Sequence, residues 1–365
     1  MESRQGRSIE VDFFRGVVLI VIVLDHIPGS ALSHVTLHAY ALCDSAEVFV
    51  FLGGYASAAA YMAVLAHRGV SAATRRFFRR SWEIYRAYLL TAVLTLLSGA
   101  MLALLHLNRP AADESGWALF AMHPVREAFY ILSLTHQPYL SSVLPMYVIF
   151  ALCVPAAVPL ARRAPFAALI GSALIWGFAP QLATLFSVNW SFNPFAWQLM
   201  FVFGLLCRLH PLSPGFKASE TARWLVWLAF ATMAAFAAVK LLILTQPLPG
   251  AMKQNLGFSH VANFIVIAMV AAYFVHRGTI AWIAAHLPSV VTVGRTGLVC
   301  FVGGTLISVI VDTATPRALH STAAFAAALT GDFAAIGATL MLAKAWRTML
   351  GRHKVRAAVN GAGCG

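Results

Sequence analysis

The sequence carries very little charge, and most of that charge has one sign. Only 11% of its 365 residues are Asp, Glu, Lys or Arg, and just 13 are acidic. Since a soluble domain carries roughly 25% charged residues, this composition excludes an ordinary soluble protein. Cysteines are few and scattered and show no CxxC spacing, so they predict neither a disulfide framework nor a zinc site. They are Cys43, Cys153, Cys207, Cys300 and Cys364.

In place of charge the sequence has long apolar runs. It is 60% hydrophobic with a mean hydropathy of +0.77, and about 20 mostly apolar residues suffice to cross a bilayer as a helix. Such runs predict an all-α polytopic membrane helix bundle with about ten transmembrane helices. We expect a single transmembrane domain over residues 1–365, with tails at 1–10 and 347–365. No small-residue cleavage site follows the first run, so we expect no cleaved signal peptide. The runs are at 11–27, 46–66, 86–106, 143–161, 166–186, 194–209, 223–244, 260–276, 293–311 and 322–346.

The basic residues predict the orientation of these helices. If the N-terminus is cytoplasmic, twenty of the 26 Lys and Arg residues lie on cytoplasmic segments and four on outer ones. This alternation follows the positive-inside rule and places both termini in the cytoplasm. The net charge of +13 is therefore mostly topological, and we expect no nucleic acid partner.

The first helix carries the richest polar pattern. Arg15 and His26 are eleven residues apart, which on a helix places both on one face, about 16 Å apart along the axis. Arg15 lies near the cytoplasmic end and His26, preceded by Asp25, near the outer end. Asp12 is within ion-pairing reach of Arg15. The pattern fits a functional cation and proton acceptor, or a structural ion pair and an interfacial histidine.

A second polar group begins the second helix from the outside. Asp44 and Glu47 have the spacing of a helix cap and its reciprocal partner. Alternatively, one of the two carboxylates orients the His26 imidazole and makes it a better base. The following Gly53, Gly54 and Tyr55 favour close approach of another helix or of a ligand.

A third polar group, around Asn189 to Pro194, begins the sixth predicted helix from the outside. Tryptophans at this depth commonly anchor a membrane interface. Asn193, Trp197 and Gln198 also suit the floor of a sugar-binding site.

The cytoplasmic side offers two candidate anion sites. The stretch from Arg75 to Arg86 interleaves basic and aromatic residues, which suits anionic lipid or an anionic cofactor; its candidates are Arg76, Arg79, Arg80, Tyr85 and Arg86. The segment from Gly294 to Gly297 includes Arg295 and opens the ninth predicted helix, a position that suits phosphate. Asp332 lies inside the last helix, where it could pair with a cation, serve a proton path, or be neutral and hydrogen-bonded.

These motifs resemble a known family. Asp-x-x-Arg-Gly at 12–16 and Arg-x10-His at 15–26 are similar to the transmembrane acyltransferases of the acyltransferase-3 type. Longer blocks resemble the OpgC branch, the succinyltransferases of osmoregulated periplasmic glucans. These blocks are VDFFRGVVLIVIVLDHIPGS at 11–30, DSAEVFVFLGGY at 44–55 and FNPFAWQLMFVFG at 192–204.

The resemblance implies an O-acyltransferase of the bacterial inner membrane. An acyl group, with succinyl expected, would move from cytoplasmic acyl-CoA (succinyl-CoA or acetyl-CoA) to a periplasmic glycan hydroxyl. No metal is implied, and membrane lipid is the other expected partner. His26 matches the catalytic histidine and Arg15 the first-helix arginine, with Asp25 and Tyr55 among the acceptor candidates. His26 would act as general base or form an acyl-histidine.

The main competing hypothesis is a transporter or flippase for a glycan or an anionic solute. It also explains a membrane bundle with intramembrane charges. It predicts no binding of acyl-CoA.

Overall fold

The computed structural model describes residues 8–107, 110–188, 190–243, 250–316 and 321–362, and helices joined by turns and loops make up this part of the chain. Two short 3-10 helices, Leu32–Val35 and Tyr139–Ser141, accompany the α-helices, and no strand occurs in these ranges. The predicted all-helical class is thus confirmed. In chain order the α-helices are α1 (Ile9–Asp25), α2 (Leu37–Tyr40), α3 (Ser45–Leu104), α4 (Pro110–Glu114), α5 (Trp117–Met122), α6 (Pro124–Leu132), α7 (Leu144–Arg163), α8 (Pro165–Gly177), α9 (Ala179–Leu185), α10 (Pro194–Leu209), α11 (Pro214–Ala218), α12 (Glu220–Leu242), α13 (Gly250–Gln254), α14 (Phe258–His276), α15 (Thr279–His286), α16 (Pro288–Arg295), α17 (Gly297–Ala314) and α18 (Thr322–Ala362).

Several of these helices are long and apolar enough to cross a bilayer. Within the described ranges there are six of them, and the bent pair α8 and α9 would add a seventh. Helix α1 has 17 residues and α10 has 16, each a little short of the roughly 20 that a bilayer needs. A helical membrane protein follows from these segments, while the count of ten remains a prediction. The six are Ser45–Leu104, Tyr139–Arg163, Glu220–Leu242, Phe258–His276, Gly297–Ala314 and Thr322–Arg352.

In the described residues each predicted apolar run lies mostly in helix, but the helix boundaries differ from expectation, and the ninth run is divided between α16 and α17. The second and third runs both lie in α3, whose 60 residues are interrupted only at Gly69, with φ of 76°. That left-handed conformation costs glycine little, and it separates the two runs. The fifth run is bent by 67° between α8 and α9.

The residues cluster into two compact units. The central unit is Val35–His276, and the terminal unit comprises residues 8–34 and 277–362 of the described chain. In the central unit α10 packs against α3, α7 and α8. A Cβ added at Gly54 would overlap the carbonyl oxygen of Phe201, and one added at Gly204 would overlap that of Phe51. The glycine pair therefore lets α3 and α10 cross with their backbones in contact, as small residues do in membrane bundles.

The terminal unit has a second glycine crossing. A Cβ at Gly16 of α1 would overlap the carbonyl oxygen of Val290, and one at Gly294 of α16 would overlap that of Asp12. Gly294 was expected to open a helix and favour phosphate. It instead lies in the last turn of α16, and its missing side chain lets that helix reach the backbone of α1.

Candidate functional site

The polar residues of the first helix lie in the terminal unit. Asp12 is only 2% exposed and accepts a hydrogen bond from Arg295 Nε at 3.0 Å. This buried carboxylate thus has a cation from α16 beside it, which offsets the cost of burying its charge. The Arg15 guanidinium lies near Gly297, with Nη2 3.5 Å from the position that a Cβ there would take. Three predicted site residues, Asp12, Arg15 and Arg295, therefore belong to the packing of α1 against α16 and the start of α17.

His26 lies at the C-terminal cap of α1 and lines a small cavity between α1 and α17. Its Nδ1 lies 2.6 Å from the carbonyl oxygen of Ile22. Because a carbonyl only accepts, Nδ1 carries the proton and a neutral ring has its lone pair on Nε2. The other walls are largely apolar. The Ser308 hydroxyl in the wall lies 2.9 Å from the carbonyl oxygens of Val23 and Gly304 and shares its single proton between them.

In the central unit Asp44 caps α3 as predicted. Its Oδ1 accepts from Ala46 N at 2.7 Å, and Glu47 Oε2 accepts from Asp44 N at 2.9 Å, which completes a capping box. Asp44 Oδ2 also pairs with the Lys253 ammonium. Burial alone would raise the pKa of Asp44, but the charge of Lys253 and the hydrogen bonds at the cap lower it to about 2. Burial acts in the opposite direction on Lys253, yet the neighbouring Asp44 raises the pKa of this lysine.

Glu47 has a second partner, His260 of α14. Glu47 is fully buried, and its Oε1 lies 2.9 Å from His260 Nδ1. His260 is 5% exposed, and its Nε2 has no hydrogen-bond partner. One turn further along α14, Asn263 accepts the N–H groups of Leu42 and Cys43 at 2.9 and 3.2 Å. The prediction that Asp44 or Glu47 orients His26 joins residues of the two units and stays a prediction.

The polar group at the start of α10 is bonded within the protein. Asn193 caps α10, and its Nδ2 donates to Asn255 Oδ1 and to Ala179 O. The Trp197 indole is fully buried, and its N–H is shared between the carbonyls of Lys253 and Gln254. These contacts support the segment that presents Lys253.

Gln198 lies one helical position further and is also internally bonded. It accepts from Ser172 Oγ at 2.7 Å and donates to Ser172 O at 2.8 Å. Asn193, Trp197 and Gln198 thus have structural contacts, and their binding of a sugar remains a prediction. Asn189, which began this polar group in the sequence, lies outside the described residues.

The basic stretch forms an open surface of α3. Arg76, Arg79 and Arg86 are exposed and Arg80 is half-buried. Arg79 and Arg80 reach Glu83 at 3.6 and 3.3 Å, as surface ion pairs that stabilise little.

Aromatic contacts position two further candidates. Tyr85 stacks on Trp82 with ring centroids 5.5 Å apart and donates its hydroxyl to Leu132 O. Tyr55 lies under the guanidinium of Arg208, 5.7 Å from the ring centroid, in cation–π contact.

Two more acidic residues belong to the terminal unit. Asp25 is the last residue of α1 and is partly buried. Asp332 is fully buried in α18, and its Oδ2 accepts from Leu32 N at 2.8 Å. Of the roles considered for Asp332, this bond matches the hydrogen-bonded one.

His260 and Asn263 are the site candidates that the sequence analysis missed. Their signal was present, because in the predicted topology the second and eighth helices both begin at the outer side. A histidine and an asparagine one turn apart at the start of the eighth helix therefore share a membrane level with Asp44 and Glu47.

Comparison with known proteins agrees with this reading of the motifs. The family model described as OpgC protein matches residues 7–350. No curated protein matches the chain, and no solved structure does. Because the family match spans nearly the whole chain, the protein belongs to the OpgC family, which implies a membrane transferase that modifies glucans by acyl transfer.

Proposed function

We propose that this protein transfers an acyl group, succinyl in the first instance, from acyl-CoA at the cytoplasmic face of the bacterial inner membrane to a hydroxyl of a periplasmic glucan. The family match over residues 7–350 carries the proposal. The predicted orientation supports it, since basic residues lie where CoA phosphates would arrive and His26 lies toward the periplasm.

His26 is the proposed general base. The hydrogen bond from its Nδ1 to Ile22 O, 2.6 Å long, selects the tautomer in which Nε2 accepts a proton. Nε2 would take the proton of the glucan hydroxyl as its oxygen attacks the acyl carbonyl. The thioester C–S bond would then break, and the departing CoA thiolate would take that proton from His26. An alternative course, in which Nε2 itself accepts the acyl group, uses the same tautomer.

The residues proposed to hold CoA suit its phosphates. Exposed guanidiniums at Arg76, Arg79 and Arg86, with Arg80 beside them, offer forked donors to phosphate oxygens. Glu83 is a weakly held surface partner that a phosphate could replace. Tyr85 would lie at the edge of this phosphate-binding surface. The bound acyl-CoA would supply the activated acyl thioester. Arg295 is a separate candidate for an anionic group, and Asp12 holds its guanidinium in place.

Calorimetric titration of purified protein with succinyl-CoA and acetyl-CoA tests the donor. We expect micromolar binding of one ester, retained in His26→Ala and weakened about tenfold in Arg80→Ala, since losing a charge-assisted hydrogen bond costs about 1.4 kcal/mol or more. In the same preparations His26→Ala should bind the donor and transfer no acyl group. Folded protein that binds neither ester would favour a transporter, and acyl transfer by His26→Ala would remove His26 from the chemistry.

A further inference from the structure

The central unit contains a buried polar cluster with unused hydrogen-bonding capacity. His260 Nε2, Asn263 Nδ2 and Ser259 Oγ are all shielded from solvent and have no partner. The residues His260 and Asn263 are themselves 5% and 1% exposed. Buried polar atoms are nearly always hydrogen-bonded. The unpartnered nitrogens of His260 and Asn263, one helical turn apart, therefore require an explanation.

The orientation of both side chains is fixed by their other atoms. Asn263 Oδ1 accepts two backbone N–H groups, from Leu42 and Cys43, so its amide nitrogen is the atom left over. His260 Nδ1 is held by Glu47 Oε1 at 2.9 Å, so Nε2 is left over on the ring. A buried carboxylate that holds an imidazole through Nδ1 is also how proteins position a histidine toward a substrate.

The unused atoms define the chemistry of the missing partner. Asn263 Nδ2 can only donate. His260 Nε2 accepts when Nδ1 carries the ring proton, and donates when Glu47 carries it. A hydroxyl group matches both states, because it donates and accepts at once. Ionised phosphate and carboxylate groups only accept, and an ammonium only donates, so the cluster favours a hydroxyl group of a ligand.

We infer that His260, held by Glu47, and Asn263, held by the backbone N–H groups of Leu42 and Cys43, bind a hydroxyl group of the sugar acceptor. This inference rests on the proposed function, in which α3 and α14 both begin on the periplasmic side where a glucan arrives. His260 is then an acceptor-binding residue that takes no part in the proton transfer. Ser259 Oγ lies beside His260 in sequence and offers one more group to a neighbouring hydroxyl.

Two substitutions at His260 separate ligand binding from a structural role. In His260→Asn the amide sits where Nδ1 was, so the bond to Glu47 is kept and the Nε2 position is deleted. In His260→Gln the longer side chain places an amide near Nε2 and loses the bond to Glu47. His286→Asn is the matched control, because the His286 ring is exposed and its Nδ1 bonds Trp282 O of its own helix.

Kinetics of succinyl transfer from labelled succinyl-CoA to a linear β-glucan oligosaccharide, in lipid nanodiscs, provide the readout. For His260→Asn we expect an acceptor KM about tenfold higher, the equivalent of one lost hydrogen bond, with donor affinity and melting temperature close to wild type. His260→Gln should melt at a lower temperature than His260→Asn, because it loses the bond to Glu47. Its acceptor KM should be lower than that of His260→Asn, because its amide replaces Nε2. If the acceptor KM of His260→Asn equalled that of wild type, the inference would be overturned. His260 and Asn263 would then have only a structural role.

Failure of the proposed function would look different. Wild-type protein that transfers no acyl group from succinyl-CoA or acetyl-CoA would refute the acyltransferase proposal. Titration with the same oligosaccharide then tests the hydroxyl site alone. Binding lost in His260→Asn and kept in His286→Asn would support the site, and equal or absent binding in wild type and His260→Asn would overturn it.

Discussion

At the scale of single residues, Asp44 combines two stabilising roles that respond differently to substitution. It caps α3 and pairs with Lys253. Because its folded pKa is about 2 against an ordinary 3.8, its contribution is fully present above pH about 4 and is lost as pH falls toward 2. Asp44→Asn keeps a good cap and loses the ion pair. We expect this variant to be less stable by about 1 kcal/mol near neutral pH, since Lys253 is half exposed.

Thermal unfolding in detergent from pH 7 to pH 3 measures this effect. The difference between wild type and Asp44→Asn should shrink as the pH falls below 4, because unfolded wild type takes up a proton near pH 3.8 while the folded carboxylate holds its charge until about pH 2. Glu220→Gln, which removes an exposed pair with Arg223, serves as control and should change little at any pH. A difference that stays constant down to pH 3 would show that the variant acts through the cap and not through the charge.

Residue-level prediction from the sequence succeeded where partners are near in the chain. The cap formed by Asp44 and Glu47 spans three residues and follows from spacing alone. His260 escaped prediction because its partner Glu47 is 213 positions away, and a single histidine at the edge of an apolar run looks like an interfacial residue. The structural contacts of Asn193 and Trp197 escaped for the same reason, since their partners lie near residue 254.

At the scale of helices, the crossing of α3 and α10 depends on Gly54. Gly54→Ala would push a methyl group into the backbone of Phe201, and backbone cannot move aside as a flexible side chain can. We expect a loss of about 1–3 kcal/mol, the usual cost of overpacking. Size-exclusion chromatography in detergent after heating measures this loss of stability. The Gly54→Ala protein should lose its folded peak at a lower temperature than wild type.

Gly171→Ala is the matched control in the same unit. Gly171 lies within α8, and an added Cβ there meets nothing within 4 Å. Alanine is a better helix former than glycine, so this variant should melt at or slightly above the wild-type temperature. If Gly54→Ala and Gly171→Ala had the same melting temperature, the helices α3 and α10 would accommodate the added methyl group without loss of stability.

The helices themselves followed from hydropathy, and their interruptions did not. The apolar runs are mostly helical in the described residues, as expected of segments whose backbone finds no hydrogen-bond partner in lipid. The break at Gly69 and the 67° bend between α8 and α9 arise from local backbone geometry, which a hydropathy window averages away. Gly54 was recognisable as a point of close approach, although the sequence left open whether a helix or a ligand would approach it.

At the scale of the whole molecule, the predicted topology depends on the shortest helix that it counts. Helix α10 has 16 residues, about 24 Å of rise, against a hydrocarbon core of about 30 Å. Its surroundings favour spanning all the same. It packs against α3, α7 and α8, and a helix buried among neighbours tolerates such mismatch at modest cost. Arg208 near its C-terminal end fits a cytoplasmic boundary.

Cysteine labelling on the two sides of α10 tests the count. In a variant whose own five cysteines are replaced, Ser191→Cys and Ser213→Cys each add one exposed thiol. We expect a membrane-impermeant maleimide to label Ser191→Cys in intact spheroplasts, and Ser213→Cys only after permeabilisation. Labelling of both from the same side would mean that α10 does not span. In that case α14 would begin on the cytoplasmic side, which would place His260 away from a periplasmic glucan and overturn the inference drawn for it.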